Sequence, residues 1–192
     1  MRETELFIER PLGEELLRGA ATDAERRTAD SFSSQRRRKE YLMWRYIVRR
    51  ELGPQTAVGY LPSGRPTVNL EGIHIGVSHC RDFVAVIISS RPCAVDIEPL
   101  SRDFSRAAER CCVPAERALS DDPRLAAALW CAKETLYKYA CGEERRATDF
   151  AADIRIESVD FHNGTITGRL CGEDAVQMRM TEHEDCLVVF VG

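Results

Sequence analysis

Between Gly72 and Glu98 the chain is almost continuously apolar, in three short runs, GIHIGV, FVAVIIS and CAVDIE. The clusters SHCRD and SRP interrupt them and read as turns. Short β-branched runs bounded by turn residues predict strands, and short connections predict an antiparallel meander. Elsewhere the period becomes helical. Tyr41, Leu42, Trp44, Ile47 and Val48 form a stripe over Gln35 to Leu52, ended by Gly53-Pro54. A second helix is predicted from Pro123 to Gly142, with Leu125, Leu129, Ala132, Leu136 and Tyr139 facing the core. Asp122 is placed to cap it, Pro123 suits its first position, and Gly142 is a natural stop. ELFIER predicts an early strand ahead of a helical pattern through Leu16 and Leu17. LPSGRP, Leu61 to Pro66, is a loop, and ADIRIES, TITGRL, AVQMRM and CLVVFV predict four closing strands.

The order of elements repeats. Each half starts with a short strand, passes through helices and ends in strands, and FIERPL and DIEPL are locally alike. The expectation is an α+β fold of two similar, pseudo-symmetric halves, 1–92 and 93–192, each a small, mainly antiparallel sheet packed with helices. The acidic end of CAVDIE would lie at their junction, a usual place for a ligand site.

Composition narrows the function classes. No apolar stretch is long enough to span a bilayer, and MRETELFIER lacks the features of a signal peptide, so a cytoplasmic protein with no membrane partner is expected. The eight cysteines include no C-x-x-C pair, and Cys111-Cys112 are adjacent, which reads as small core residues rather than zinc ligands or disulfides. A net charge of −4 argues against a nucleic-acid binder. One stretch departs from that balance: Glu25 to Arg50 carries Arg26, Arg27, Arg36, Arg37, Arg38, Lys39, Arg45, Arg49 and Arg50. It reads either as a solvated helix face or as an anion site for a phosphate or an acidic partner.

Candidate chemistry gathers on two elements. In an extended strand Asp96 and Glu98 share a face, with Cα atoms roughly 6.5 Å apart, close enough to reach one cation. The meander would bring Ser78 and His79 to the same sheet end. In WCAKETLYK, Glu134 and Lys138 are four residues apart and share a helix face, with Lys133 adjacent. Taken singly, these are a solvated strand end and an ordinary intrahelical ion pair. Together, Asp96, Glu98 and Glu134 form a hard-oxygen set that needs a cation to neutralise it, and Lys133, Lys138, His79 and the arginines are groups that hold phosphate oxygens. The reading is a Mg²⁺-dependent site for a polyphosphorylated small molecule. No P-loop, G-x-G-x-x-G or G-x-S-x-G motif points to another chemistry.

Four motifs in order resemble those of the 4'-phosphopantetheinyl transferase superfamily, in its larger, monomeric two-lobed form named for activating surfactin synthetase. SGRP looks like the family's G-K/R-P, GVSH like N-x-S-H, AVDIE like G-V/I-D-x-E, and WCAKETLYK like W-x-x-K-E-A-x-x-K. The resemblance implies transfer of the phosphopantetheine arm of coenzyme A to a serine of an apo acyl or peptidyl carrier protein, releasing 3',5'-ADP. Asp96, Glu98 and Glu134 would then hold Mg²⁺, with Glu134 also the base toward the serine hydroxyl. Lys133 and Lys138 would neutralise phosphate charge, and Ser78 and His79 would contact phosphates. Arg65, with Gly64 and Pro66, would bind the adenosine-3'-phosphate end. Arg26 or Arg27 would reach the 3'-phosphate, and other arginines would face acidic carriers. The chain departs from the pattern at Gly76 (usually Asn), Ala94 (usually Gly) and Thr135 (usually Ala). Three rivals stand beside this reading: a Mg²⁺-dependent hydrolase of nucleotide pyrophosphates, a non-catalytic relative that binds coenzyme A or carriers, and a nucleic-acid module built on the arginine helix.

Overall fold

A computed structural model describes residues 3–140 and 149–192. The first part of the chain contains β1 (Glu5–Glu9), α1 (Glu14–Gly19), α2 (Asp23–Asp30), α3 (Gln35–Leu52), β2 (Val58–Tyr60), β3 (Pro66–Val68), β4 (His74–His79) and β5 (Val84–Ser89). The remainder contains β6 (Ala94–Pro99), α4 (Ser105–Cys111), α5 (Pro114–Arg117), α6 (Leu125–Ala140), β7 (Ile154–Asp160), β8 (Thr165–Leu170), β9 (Val176–His183) and β10 (Cys186–Val191). The fold is α+β with antiparallel sheets, as the pattern predicts.

The meander is corrected. β4 and β5 pair as expected, but β5's other neighbour is β1, in a sheet ordered β1-β5-β4. β6 leaves that sheet and heads a second one ordered β6-β10-β9-β8-β7. In each sheet the first strand of its part of the chain pairs antiparallel with the last, and the last with the one before it. β2 and β3 form a separate hairpin that presents the SGRP loop.

Strand alternation divides the core. Val84, Val86 and Ile88 of β5 pack under α3 with Leu42, Met43, Ile47 and Val48. Ala85 and Ile87 face the other way and meet Val95 and Ile97 of β6 and Val188 of β10 in a cluster shared by both sheets. Leu187 and Val189 of β10 pack beneath α6 against Leu129, Ala132 and Leu136. Tyr139 is only half-buried, and the expected stop at Gly142 lies outside the described residues. The helix starts at Leu125 rather than Pro123, and Asp122 acts three residues ahead of it, its carboxylate accepting from the backbone N–H and side chain of Arg124. Six of the described cysteines are buried and Cys171 is exposed. Among the described residues no helix is long and apolar enough to cross a membrane.

Candidate active site

β4 and β6 run side by side where the two sheets meet, although no ladder joins them. Ser78 links them: its Oγ donates to Asp96 Oδ1 at 2.8 Å and accepts from the Ile97 backbone N–H at 3.3 Å. The predicted convergence of Ser78 with Asp96 therefore occurs, through direct contact rather than across β5. Ser78 is 7% exposed, and its proton is committed to Asp96, so in this structure it positions the acid instead of facing a phosphate. Gly76 makes the approach possible. A Cβ there would lie 2.8 Å from Ile87 Cγ2 and 3.0 Å from Ala94 Cα. Two of the departures from the family pattern, at 76 and 94, thus face each other across this contact.

Asp96 is the centre of the group. Lys138 Nζ donates to its Oδ1 at 2.7 Å and to the Val95 carbonyl at 3.1 Å. The other oxygen, Oδ2, is buried and receives no hydrogen bond from an N–H or O–H group, the carboxylate's further neighbour being the weakly donating thiol of Cys131. A buried carboxylate oxygen left without a donor is costly, and such a position calls for a ligand or a cation. Glu134, half-buried one turn before Lys138, has its proton affinity raised by burial and then by the negative charge of Asp96 and, less, Glu98; Lys138 acts against this. Cys131, sealed behind, is held as a neutral thiol by burial and by the Asp96 and Glu98 charges.

Glu98 shares the α6-facing side of β6 with Asp96, while Ile97 packs into the inter-sheet cluster, as alternation predicts. Its Oε1 is held by Trp130 Nε1 at 3.0 Å and by Arg102 Nη1 at 2.7 Å. These partners were not foreseen, although Arg102 lies four residues beyond Glu98 and Trp130 opens the WCAKET motif. Among the described residues no three His, Cys, Asp or Glu side chains are already gathered as a metal-binding group. The donor chemistry nevertheless fits a hard cation: three carboxylates from β6 and α6, the charges of Asp96 and Glu98 raising the proton affinity of Glu134, and one of the three with a buried, unpartnered oxygen.

Lys133 does not join them. It is 0% exposed, and its ammonium donates to Glu116 Oε1 at 2.9 Å and to the carbonyls of Phe150 and Ile154 at 2.7 and 2.6 Å. All three protons are used, so the expected phosphate contact is corrected to a structural tie between α6, α5 and the start of β7. Glu116 itself was not singled out in the sequence. It also accepts the backbone N–H groups of Val113 and Ile156.

The remaining candidates line two clefts that meet at Gly64 and Pro66. One, of about 320 Å³, is bordered by Ser63, Gly64, Arg65, Pro66, Gly76 and Lys138. It reaches the acidic group only through Lys138. The second, of about 240 Å³, is bordered by Arg37, Glu40, Trp44, Tyr60 and His79. His79 therefore opens on the second cleft from the first sheet, and Lys138 on the first cleft from α6. Much of the arginine run is engaged within the chain. Arg26 is tied to Asp23 and to the carbonyls of Arg18 and Ala21; Arg38 binds Glu14; Arg49 binds Glu25; and Arg50 binds Glu9. Arg45 is 3% exposed and stacks on Tyr41 and Trp44. The picture of a uniformly solvated basic face is thereby replaced by a braced one.

The family model of the 4'-phosphopantetheinyl transferase superfamily matches residues 92–187, half of the chain, and the chain belongs to that superfamily. The match covers the strand bearing Asp96 and Glu98 and the helix bearing Glu134 and Lys138. Membership supports phosphopantetheinyl transferase activity, in a family that uses coenzyme A and acts on carrier proteins. A comparison with curated proteins gave no match.

Proposed function

We propose that this protein moves the 4'-phosphopantetheine arm of coenzyme A onto a serine of an apo acyl or peptidyl carrier protein, in a Mg²⁺-dependent reaction that releases 3',5'-ADP. The observation that carries the reading is Asp96: a buried carboxylate with one oxygen engaged by Lys138 and Ser78 and the other unpartnered, next to the cleft beneath SGRP. Asp96, Glu98 and Glu134 would hold the ion, with Ser78 fixing Asp96 and Trp130 and Arg102 fixing Glu98. Bound there, Mg²⁺ would offset the charge that develops on the pyrophosphate.

The chain's own groups do the rest. Arg65, with Gly64 and Pro66, would hold the adenosine-3'-phosphate end in the cleft, and His79 would meet a phosphate at its rim. Lys138, already facing both the cleft and Asp96, would neutralise a phosphate oxygen. The carrier serine Oγ bonds to the β-phosphorus as the bond to the bridging oxygen breaks and 3',5'-ADP departs. Glu134, whose proton affinity is raised by burial beside Asp96, would accept the serine proton. First-sheet and second-sheet residues of one chain contribute to the site, which supports a protein acting as a monomer built from halves 1–92 and 93–192.

Intact-protein mass spectrometry tests this. Several apo carriers are incubated with the protein and coenzyme A, with and without Mg²⁺, and one carrier gaining a single phosphopantetheine mass only with the metal is expected. Coenzyme A cleaved with no transfer would instead establish the hydrolase, and coenzyme A bound but intact the non-catalytic relative.

A further inference from the structure

Helix α3 turns one acid inward. Glu40 is 3% exposed, and its Oε1 has no hydrogen-bond partner. The closest cation contact to that oxygen is Arg36 Nε, one turn back and 3.5 Å away. Its other oxygen, Oε2, stands 3.5 Å from Nδ1 of His79, and the 39%-exposed His79 side chain borders the same 240 Å³ cleft as Glu40 and Arg37. An acid buried among cations yet bonded tightly to none is unsaturated, like Asp96, and contacts of this length in a ligand-free site shorten when a substrate arrives.

We propose that Glu40 is a positioning residue for His79: it takes the Nδ1–H of the imidazole, turns Nε2 toward the cleft, and supports the doubly protonated ring that donates Nε2–H to a phosphate group of the substrate. This rests on the coenzyme A reading for the identity of the phosphate and on the Glu40–His79 geometry for the link itself. A carboxylate behind a histidine fixes its tautomer and orientation, and the proton on one ring nitrogen decides what the other can do. The support is needed at this place. Burial lowers the proton affinity of His79, and Arg37, Lys138 and Arg36 lower it further, whereas Glu40 is the group that opposes them. Even with Glu40 the balance lies below the ordinary imidazole value, so the arriving phosphate must complete the second protonation, and without Glu40 the cations would hold the ring neutral more firmly still.

Long-range ¹H–¹⁵N NMR of the whole protein reads the tautomer of His79 directly, with no variant and no ligand. The neutral ring is expected in the Nδ1–H form; a ring in the Nε2–H form overturns the proposal. In Glu40→Gln, His79 should lose its second proton about one pH unit lower, and coenzyme A affinity by calorimetry should fall about tenfold. That affinity loss should vanish when Glu40→Gln is made in a His79→Asn background. An unchanged His79 titration, or an equal loss with and without His79, would show that Glu40 acts only on the fold. Wild-type protein that binds no coenzyme A would overturn the substrate reading while the tautomer still decides the link.

Discussion

Two lysine–carboxylate pairs sit on opposite faces of α6, and they differ in completeness. Lys133 and Glu116 are 0% and 2% exposed, with all three ammonium protons and both carboxylate oxygens engaged. Lys138 and Asp96 meet at 2.7 Å, but Asp96 Oδ2 has no partner and Lys138 opens on the cleft. Saturation distinguishes a pair that holds the fold from a pair that awaits a ligand. Similar residue types on one helix thus serve two ends, and the count of hydrogen bonds, rather than burial or distance, tells them apart.

The comparison can be broken most severely at the saturated pair. Lys133→Met leaves Glu116 charged and buried, and a loss of about 3–5 kcal/mol is expected in urea unfolding. Adding Glu116→Gln should restore part of it. The unsaturated pair should respond in the opposite currency: Asp96→Asn, and likewise Glu134→Gln, should slow transfer about 10²–10³-fold while the unfolding midpoint stays near wild type. Gly76→Ala probes the strand contact that carries Asp96. Its Cβ would press on Ile87 and the Ala94 backbone, and a cost of about 1–3 kcal/mol is expected, with slower transfer in the folded fraction.

The smallest effect lies on α2, at Glu25, which pairs with Arg45 and Arg49 of α3. Burial alone would raise its pKa, but the hydrogen bond from Arg49, the backbone N–H of Thr22 and the charges of Arg49 and Arg45 bring it below the ordinary carboxyl value of 4.5. A depressed folded value stabilises the fold above the unfolded pKa and ceases to do so as pH falls through the folded one. Thermal melts should therefore show Glu25→Gln with a shallower acid slope below pH 4.5 than wild type, worth up to about 1 kcal/mol.

Periodicity made the helices, the strands and the shared face of Asp96 and Glu98 readable in the sequence. It did not reveal which strand β6 would pair with. CAVDIE is apolar enough to sit beside either β5 or β10, and its true partner comes some ninety residues later, where local turn signals carry no information. The inward position of Lys133 was legible as well. Residues five apart on a helix are separated by about 140°, so Lys133 and Lys138 could not share a face. Lys133 also falls among Leu129, Ala132 and Leu136 on the core stripe. Glu40 lies likewise in line with Met43, Trp44 and Ile47, so its burial could have been read from spacing even though its partner could not. Arg102 and Trp130 reach Glu98 from a loop and a helix, and only the folded chain brings them together.

The most direct test compares wild type, Asp96→Asn and Lys133→Met in one transfer assay, below the unfolding range of all three, reading the mass of an apo carrier with coenzyme A and Mg²⁺. The account predicts full conversion by wild type, near-normal conversion by the folded Lys133→Met protein and almost none by Asp96→Asn. Transfer that survives in Asp96→Asn but fails in folded Lys133→Met would contradict it, because the saturated pair, not the unsaturated one, would then be the reactive site.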